Sequence, residues 1–273
     1  MARRLRILGL AAGIAALAVL AAGASAPAGE QRTGAAMEEW TQLFNGRDLS
    51  GWTAKFAKHP LGVNLYDTFR VEDGLLEVRY DRWPAAFDGE FGHLFYDTPY
   101  SSYRLAAEYR FVGEQLKGGA SWAIRNNGLM IHCLDPRTML QDQDFPVSIE
   151  VQFLGGLGDG KPRPTANLCT PGTHVVLNGQ LHTAHCVNST APTYDGDQWV
   201  RVEVEVRGGE VVRHIVDGRV VLEYSKPQIG GGSVSPVDPK VKVDGTLLTS
   251  GFIAIQAETA PTDFRKIELR KLD

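Results

Sequence analysis

The chain has 273 residues and a formal net charge of −4. A net negative charge gives no electrostatic basis for binding nucleic acid or an anionic membrane, which argues against both classes of partner. Thirty glycines and fourteen prolines, spread along the chain, predict many turns.

The N-terminus has the pattern of a secretory signal peptide. Three arginines within residues 3–6 are followed by an apolar run over 7–22 and by the small residues Ala24-Ser25-Ala26. The run is short for a membrane-spanning helix, and no cysteine follows the cleavage site to carry a lipid anchor. We therefore expect a signal peptide over residues 1–26, a flexible lead-in over 27–40, and a periplasmic or secreted protein without membrane attachment.

Short segments with β-strand patterns follow one another through the rest of the chain. The dipeptides Asp73-Gly74 and Asp217-Gly218 predict hairpins, and Asn126-Asn127-Gly128 predicts a turn. Residues 200–207 alternate valine with arginine or glutamate, as in a strand with one buried face. No long amphipathic helix and no linker interrupts the series. The pattern predicts an all-β protein, a single β-sandwich or jelly roll over residues 41–273.

The strand predicted at residues 146–154 carries the central candidate for chemistry. One face holds Val147, Ile149, Val151 and Phe153, and the other holds Ser148, Glu150, Gln152 and Leu154. Glu150 and Gln152 would lie about 6–7 Å apart along the strand. An acid and an amide at mid-strand fit the lining of a concave binding site. The alternative is the solvent-facing side of an ordinary sheet.

Polar residues on other predicted strands could join Glu150 on one face. Gln256 and Glu258 form a second pair of this kind near the C-terminus. His132 lies in an apolar segment, where a buried core histidine is the alternative to a catalytic one. The remaining candidates are Glu108, Arg125, Asn126 and His93, of which His93 is either an edge histidine or a sugar contact.

The chain has three cysteines, and in an oxidising compartment two of them can pair. Cys169 and Cys186 would close a loop of 17 residues, which leaves Cys133 as a small buried side chain. The same cysteines lie near His182 and His185 in the sequence, so a metal cluster is a second interpretation. Residues three apart on a strand face opposite ways, which favours the disulfide.

Three segments together resemble a known family. Residues 43–52 (LFNGRDLSGW), the Glu150-Val151-Gln152 strand, and residues 251–256 running into 263–267 are similar to the 3-keto-disaccharide hydrolase domain. The resemblance covers residues 40–272, and it includes residues 126–129, where Asn127 replaces the serine usual in the family. It implies a concanavalin-like jelly roll, exported, that acts on glycosides oxidised at C3 by lyase or hydrolase chemistry, in some members with a divalent metal ion.

The resemblance implies site roles for Glu150, Gln152 and Gln256. A ketone at C3 acidifies the proton on C2, so a single carboxylate, Glu150, can act as general base. Arg125, His132 or a divalent cation would stabilise the enolate. We expect the substrate to be bound by Gln152, Gln256, Glu258, Asn126, Glu108 and His93. A double-displacement glycosidase is disfavoured because this strand lacks a second carboxylate about 5–5.5 Å away, unless Glu258 or Glu108 approaches Glu150 across the sheet.

Two other classes of function remain open. A non-catalytic carbohydrate-binding module would also present a polar concave face, with Trp83, Trp122 or Trp199 as a stacking surface. A structural partner in an envelope assembly would present an exposed apolar patch instead. A binding module would tolerate Gln at position 150, whereas an enzyme using Glu150 as a base would lose its rate.

Overall fold

The computed structural model describes residues 39–273, so the predicted signal peptide and residues 27–38 of the lead-in lie outside it. Short 3-10 helices occur at Leu65–Asp67, Ser121–Ala123 and Pro136–Thr138. The strands are β1 (Thr41–Gln42), β2 (Trp52–Phe56), β3 (Phe69–Glu72), β4 (Leu75–Val78), β5 (Gly92–Tyr100), β6 (Ser102–Phe111), β7 (Asn126–Cys133), β8 (Ile149–Leu154), β9 (Asn167–Cys169), β10 (Thr173–Leu177), β11 (Gln180–His182), β12 (Cys186–Val187), β13 (Val200–Arg207), β14 (Val211–Val216), β15 (Arg219–Ile229), β16 (Gly251–Ala257) and β17 (Thr262–Lys271).

These strands form two antiparallel sheets. The ten-stranded sheet has the order β11-β10-β15-β14-β13-β6-β17-β4-β3, and β1 pairs with β17. The seven-stranded sheet has the order β12-β9-β8-β7-β16-β5-β2. The all-β, jelly-roll β-sandwich predicted from the sequence is confirmed. No helix within residues 39–273 has the length and apolar character needed to cross a membrane.

Both hairpins that were predicted from Asp-Gly dipeptides are confirmed. Asp73 and Gly74 join β3 to β4, and Asp217 and Gly218 join β14 to β15. All four have positive φ, between 49° and 78°, as a two-residue type I′ turn requires.

The turn predicted at Asn126-Asn127-Gly128 is wrong, because these residues begin β7 and are buried. The Asn127 side chain makes hydrogen bonds within the sheet in place of the local hydrogen bonds that it would make in a turn. Its Nδ2 donates to the carbonyl oxygen of Gln256 at 2.9 Å, and its Oδ1 accepts from the amide of Gly128 at 2.7 Å. Tertiary pairing with β8 and β16 therefore overrides the local signal.

The hydrophobic core lies between the sheets and fixes the phase of each strand. Val151 and Phe153 of β8 are fully buried, and the Phe153 ring stacks on Tyr109 of β6 with centroids 4.2 Å apart. The valines of β13 face the same core while its charged residues face outward. Since Val151 and Phe153 point inward, Glu150 and Gln152 point to the outer face of the seven-stranded sheet.

Candidate functional site

The outer face of the seven-stranded sheet carries a row of polar side chains from neighbouring strands. Lys55 of β2 is opposite His93 of β5, which is opposite Gln256 of β16. On the other side of the row, Gln152 of β8 is opposite Asn167 of β9. Directly opposite residues project to the same face of a sheet, so the register itself assembles the row.

A cleft of about 350 Å³ opens on this face beside the row. Its polar lining includes Glu150, Gln152, Asn126 and Glu258, and its remaining lining consists of Trp122, Phe145, Cys169, Pro171, His185 and Ser233. Four predicted site residues from three separate segments of the chain therefore meet in one depression.

Glu150 and Glu258 are buried carboxyl groups without a cationic partner among the described residues. Burial raises the pKa of Glu150 to about 8, opposed by the neighbouring Gln256 amide. Burial, together with the negative charge of Glu150, raises the pKa of Glu258 well above its usual range. Both carboxyl groups are therefore mainly protonated at neutral pH, and Glu150 is the one whose pKa lies nearer to neutrality.

The amides around these acids hold them in place and leave acceptor atoms free. Asn126 Nδ2 donates to Glu258 Oε2 at 3.0 Å. Gln152 Oε1 accepts from Asn167 Nδ2 at 3.1 Å. At this site, three buried oxygens lack a partner within the described chain: Asn126 Oδ1, Glu150 Oε1 and Gln256 Oε1. Buried polar atoms are normally paired, so these oxygens are available to a ligand.

Gly128 provides the space in which the acid and the amide approach each other. A Cβ at this position would lie 2.8 Å from Gln256 Oε1, 3.1 Å from Glu150 Cγ and 3.0 Å from the Val151 carbonyl oxygen. Any side chain here would displace the Glu150 or Gln256 side chain. Glycine is therefore required by the site's geometry and not by a turn.

Lys55 is the site-face residue that sequence reasoning missed. Its Nζ donates to the carbonyl oxygens of Phe56 and Gln141 at 2.7 and 2.8 Å. Burial lowers the pKa of this amine to about 8. The alternation of residues 52–56 places the Lys55 side chain on the face of β2 that points away from the core. Only the pairing of β2 with β5 shows that Lys55 shares this face with His93.

His93 lies on the predicted face but beneath the cleft wall. Its ring packs edge-on against Phe145, with centroids 5.4 Å apart, and neither ring nitrogen has a partner among the described residues. Burial lowers the pKa of the imidazole to about 3, so the ring is neutral at physiological pH. His93 is fully buried and is not among the residues that line the cleft, so its predicted direct sugar contact stays a prediction.

The expectation that Glu108 shares the site is wrong, because β6 belongs to the other sheet. Glu108 accepts hydrogen bonds from Arg201 at 3.1 Å and from Arg265 at 2.6 Å on the outer face of the ten-stranded sheet. Together the hydrogen bonds from these two arginines outweigh the cost of partial burial and lower the pKa of its carboxyl group. Strand phase alone cannot distinguish the outer faces of two sheets.

Arg125 and His132 also point away from Glu150. The Arg125 guanidinium lies over the Phe111 ring of the opposite sheet, at 5.5 Å, and contacts Gly196 and Asp197. His132 Nε2 lies 3.1 Å from the carbonyl oxygen of Gly208. Both residues have positive φ, which breaks the strand alternation on which their prediction rested.

Cys169 and Cys186 are cross-strand neighbours of β9 and β12 and form a disulfide in the structure, with Cα atoms 4.1 Å apart. Cys133 is free and buried. Sulfur atoms bonded to each other are not thiolate ligands, so the metal interpretation of the Cys/His segment does not fit this arrangement, although His185 lies beside the pair. His182 lies at the end of the edge strand β11 and does not line the cleft.

A hard divalent cation fits the oxygen atoms of the cleft better than the cysteine pair. Such cations bind carboxylate and amide oxygens, and the unpartnered Asn126 Oδ1 and Gln256 Oε1 are of that kind.

The comparisons with known proteins agree with this fold. A search of curated protein sequences found no match. Two crystal structures from Parabacteroides distasonis, provisionally named glycosyl hydrolases, match at 17% identity with TM-scores of 0.50 and 0.51. Each alignment covers 86% of this chain, and the two cover 94% and 100% of the other chains. A Bacillus subtilis protein with a galectin-like fold matches at 14% identity and a TM-score of 0.48, covering 85% of this chain and 94% of that one.

The family model described as "3-keto-alpha-glucoside-1,2-lyase-like domain" matches residues 39–270, essentially all of the described structure. The match includes both acids of the cleft and the strands that hold them. The recognition made from residues 43–52, 150–152 and 251–267 is thereby confirmed: the chain belongs to the 3-keto-alpha-glucoside-1,2-lyase-like domain family.

Proposed function

We propose that the protein cleaves glycosides whose sugar ring carries a ketone at C3, using Glu150 as general base and Glu258 as general acid. The observation that carries this proposal is the pair of buried carboxyl groups without a cation partner in the described chain. Burial of this kind costs stability, and proteins retain it where chemistry needs the shifted pKa.

The reaction begins when ionised Glu150 removes the proton from C2, which the C3 ketone acidifies. The electron pair forms an enolate, which then expels the C1 substituent and leaves a double bond between C1 and C2. The departing oxygen takes the proton that protonated Glu258 holds. Glu150 is then protonated and Glu258 ionised, so the addition of water across the new double bond restores both groups and completes hydrolysis.

The amide groups around the acids bind and orient the sugar. Gln152 and Asn126 line the cleft, and Gln256 lies beneath it beside Gly128. Their N–H₂ and carbonyl groups can pair with sugar hydroxyls in either direction. A divalent cation, where present, would be held by Asn126 and Gln256 and would supply positive charge to the developing enolate. Arg125 and His132 have no part in this proposal, because neither reaches the cleft.

The proposal includes export: the signal-peptide pattern over residues 1–26 places the single domain of residues 41–273 in the periplasm or outside the cell. N-terminal sequencing of the exported form should begin at Pro27.

The test is incubation of the mature protein with 3-keto disaccharides and with the corresponding ordinary disaccharides, with and without a chelator. We expect cleavage of the keto sugars alone, with an unsaturated ketone or its hydrate as product. Cleavage of ordinary disaccharides at the same rate would refute the keto-sugar mechanism.

A carbohydrate-binding module is the second candidate, and the exposed indole of Trp122 at the cleft favours it. Binding of plain glycans without turnover of any keto sugar, and with full affinity in Glu150→Gln, would establish that alternative.

A further inference from the structure

Two aromatic side chains, Trp122 and Phe145, line the cleft beside the acids, and Phe91 packs against both; we name these three residues the aromatic wall. The rings of Phe91 and Trp122 are nearly parallel, at 23°, with centroids 6.2 Å apart. The Phe145 ring also packs against Phe91, with centroids 4.8 Å apart. Trp122 is 53% exposed although it lines the cleft. An exposed indole that lines the cleft and packs on a second aromatic ring is a surface for a ligand.

The aromatic wall is fixed by backbone hydrogen bonds. The Arg163 guanidinium donates to the carbonyl oxygens of Trp122 at 3.3 Å and of Ile124 at 2.7 Å, while Ala123 between them is buried. On the Phe145 side, Asp144 Oδ1 accepts from the amide of Ser235 at 2.8 Å. The rings therefore need little ordering when a ligand arrives, which favours affinity.

The cleft is divided by chemistry into two halves. The half on the sheet presents the carboxyl and amide groups of Glu150, Glu258, Asn126 and Gln152, which suit a ring bearing hydroxyls. The remaining lining combines the apolar side chains of Trp122, Phe145 and Pro171 with Cys169, His185 and Ser233. Sugar rings also stack on indoles, but the hydroxyl groups of a second sugar need hydrogen-bond partners that Phe145 and Pro171 do not offer, whereas a planar apolar group needs none.

We propose that the aromatic wall is the leaving-group subsite and that the preferred substrates are 3-keto glycosides with an aromatic aglycone. This inference rests on the proposed function for the position of the sugar ring. With the oxidised sugar over Glu150 and Glu258, the C1 substituent lies toward the cleft wall, and Trp122 stacks on its ring. Offset stacking of this kind adds to the gain from burying the aromatic surface.

The test compares phenyl and methyl 3-keto-glucosides in the wild type, Trp122→Ala, Trp122→Phe and Trp199→Ala. Trp199 is the matched control, because it packs between Arg110 and Arg265 on the other sheet. The measured quantity is the ratio of kcat/KM for the phenyl substrate to that for the methyl substrate. Comparing this ratio between variants removes the intrinsic difference in leaving-group reactivity.

We expect the ratio to fall about tenfold in Trp122→Ala, to recover partly in Trp122→Phe, and to stay unchanged in Trp199→Ala. An unchanged ratio in Trp122→Ala would overturn the inference. So would a 3-keto disaccharide that is turned over as well as the phenyl glycoside and loses as much on the same substitution, since the subsite would then be one for sugars.

A binding measurement separates this inference from the proposed reaction. Calorimetric titration with unoxidised phenyl and methyl glucosides should show tighter binding of the phenyl compound to the wild type and no such preference in Trp122→Ala. If this preference is seen and no keto sugar is cleaved, the aromatic subsite stands and the reaction fails. If keto sugars are cleaved and no preference is seen, the reaction stands and the subsite fails.

Discussion

The outer faces of both sheets carry buried or partly buried acidic side chains. Among residues 39–273, the acids discussed on the ten-stranded sheet pair with arginines, whereas two acids on the seven-stranded sheet do not. On the ten-stranded sheet, Glu108 is held by Arg201 and Arg265, and buried Asp263 is held by Arg79 and Arg110. On the seven-stranded sheet, no arginine or lysine of residues 39–273 pairs with Glu150 or Glu258. Paired charges make a stable, soluble surface, while unpaired buried acids cost stability. The difference supports the proposal that the catalytic site lies on the outer face of the seven-stranded sheet.

The largest difference between the two faces is expected when one acid on each sheet is neutralised. Glu150→Gln should lower kcat by about 10²–10⁴-fold, because the base is lost while the shape is kept. Glu108→Gln makes the same chemical change where the carboxylate is already paired, and it should leave kcat unchanged. Steady-state kinetics on a 3-keto disaccharide measures both, and a wild-type rate in Glu150→Gln would remove Glu150 as the base.

Filling the space at Gly128 should also impair the candidate site on the outer face of the seven-stranded sheet. Gly128→Ala puts a methyl group 2.8 Å from Gln256 Oε1 and 3.1 Å from Glu150 Cγ, so one of them must move. Displacement by about 1 Å can cost about 10²-fold in rate, and we expect a loss approaching that value. Gly232→Ala is the control, since an added Cβ there meets nothing within 4 Å. Equal rates in both variants would contradict the assigned role of Gly128.

The pH dependence should follow the unpaired acids. With the pKa of Glu150 at about 8, its ionised fraction grows about tenfold per pH unit below that value. We expect kcat/KM to rise accordingly between pH 6 and 8, and to fall again at higher pH as Glu258 loses its proton. Lys55 has a similar pKa of about 8, so Lys55→Gln must keep the rising limb. A flat profile between pH 6 and 8 would be inconsistent with a buried base.

Removing the Glu150 charge should stabilise the protein while it lowers activity. The folded state holds a proton on Glu150 up to about pH 8, whereas the unfolded chain releases it near the ordinary glutamate pKa. The contribution of Glu150 to the unfolding free energy is therefore largest below the ordinary glutamate pKa, and it is lost as the pH rises toward 8. Glu150→Gln should gain about 1–3 kcal/mol of unfolding free energy at pH 8 and nothing at pH 4. Denaturant titrations at the two pH values check this, and a destabilised variant at pH 8 would count against it.

The smallest effect is expected on the paired face. Glu108→Gln should change the unfolding free energy by no more than about 1 kcal/mol, because its arginine partners are partly exposed. The loss should shrink further in high salt. A cost of several kcal/mol, insensitive to salt, would mean that this face is also built around a buried charge.

Local sequence patterns predicted the fold well and the site in part. The alternation at Val147–Phe153 and the Asp-Gly hairpins depend on neighbours along the chain, so they could be read directly. Glu108 and Glu150 both alternate with core residues, but only the pairing of their strands shows that they lie on different sheets. Lys55 was missed for the same reason, since its partner His93 is 38 positions away in the sequence. Long-range register, which no local pattern encodes, assembles the site.

The Arg163 contacts have a consequence for how specificity can diversify. This guanidinium donates to the backbone carbonyl oxygens of Trp122, Ile124, Arg125 and Gly155, so it ties the approach to β7 to the end of β8 without using the Trp122 side chain. The residue at position 122 is therefore free to vary while the loop and both acids stay where they are. If Trp122 contacts the leaving group as proposed, single substitutions at this exposed position would change the leaving-group preference with little loss of stability.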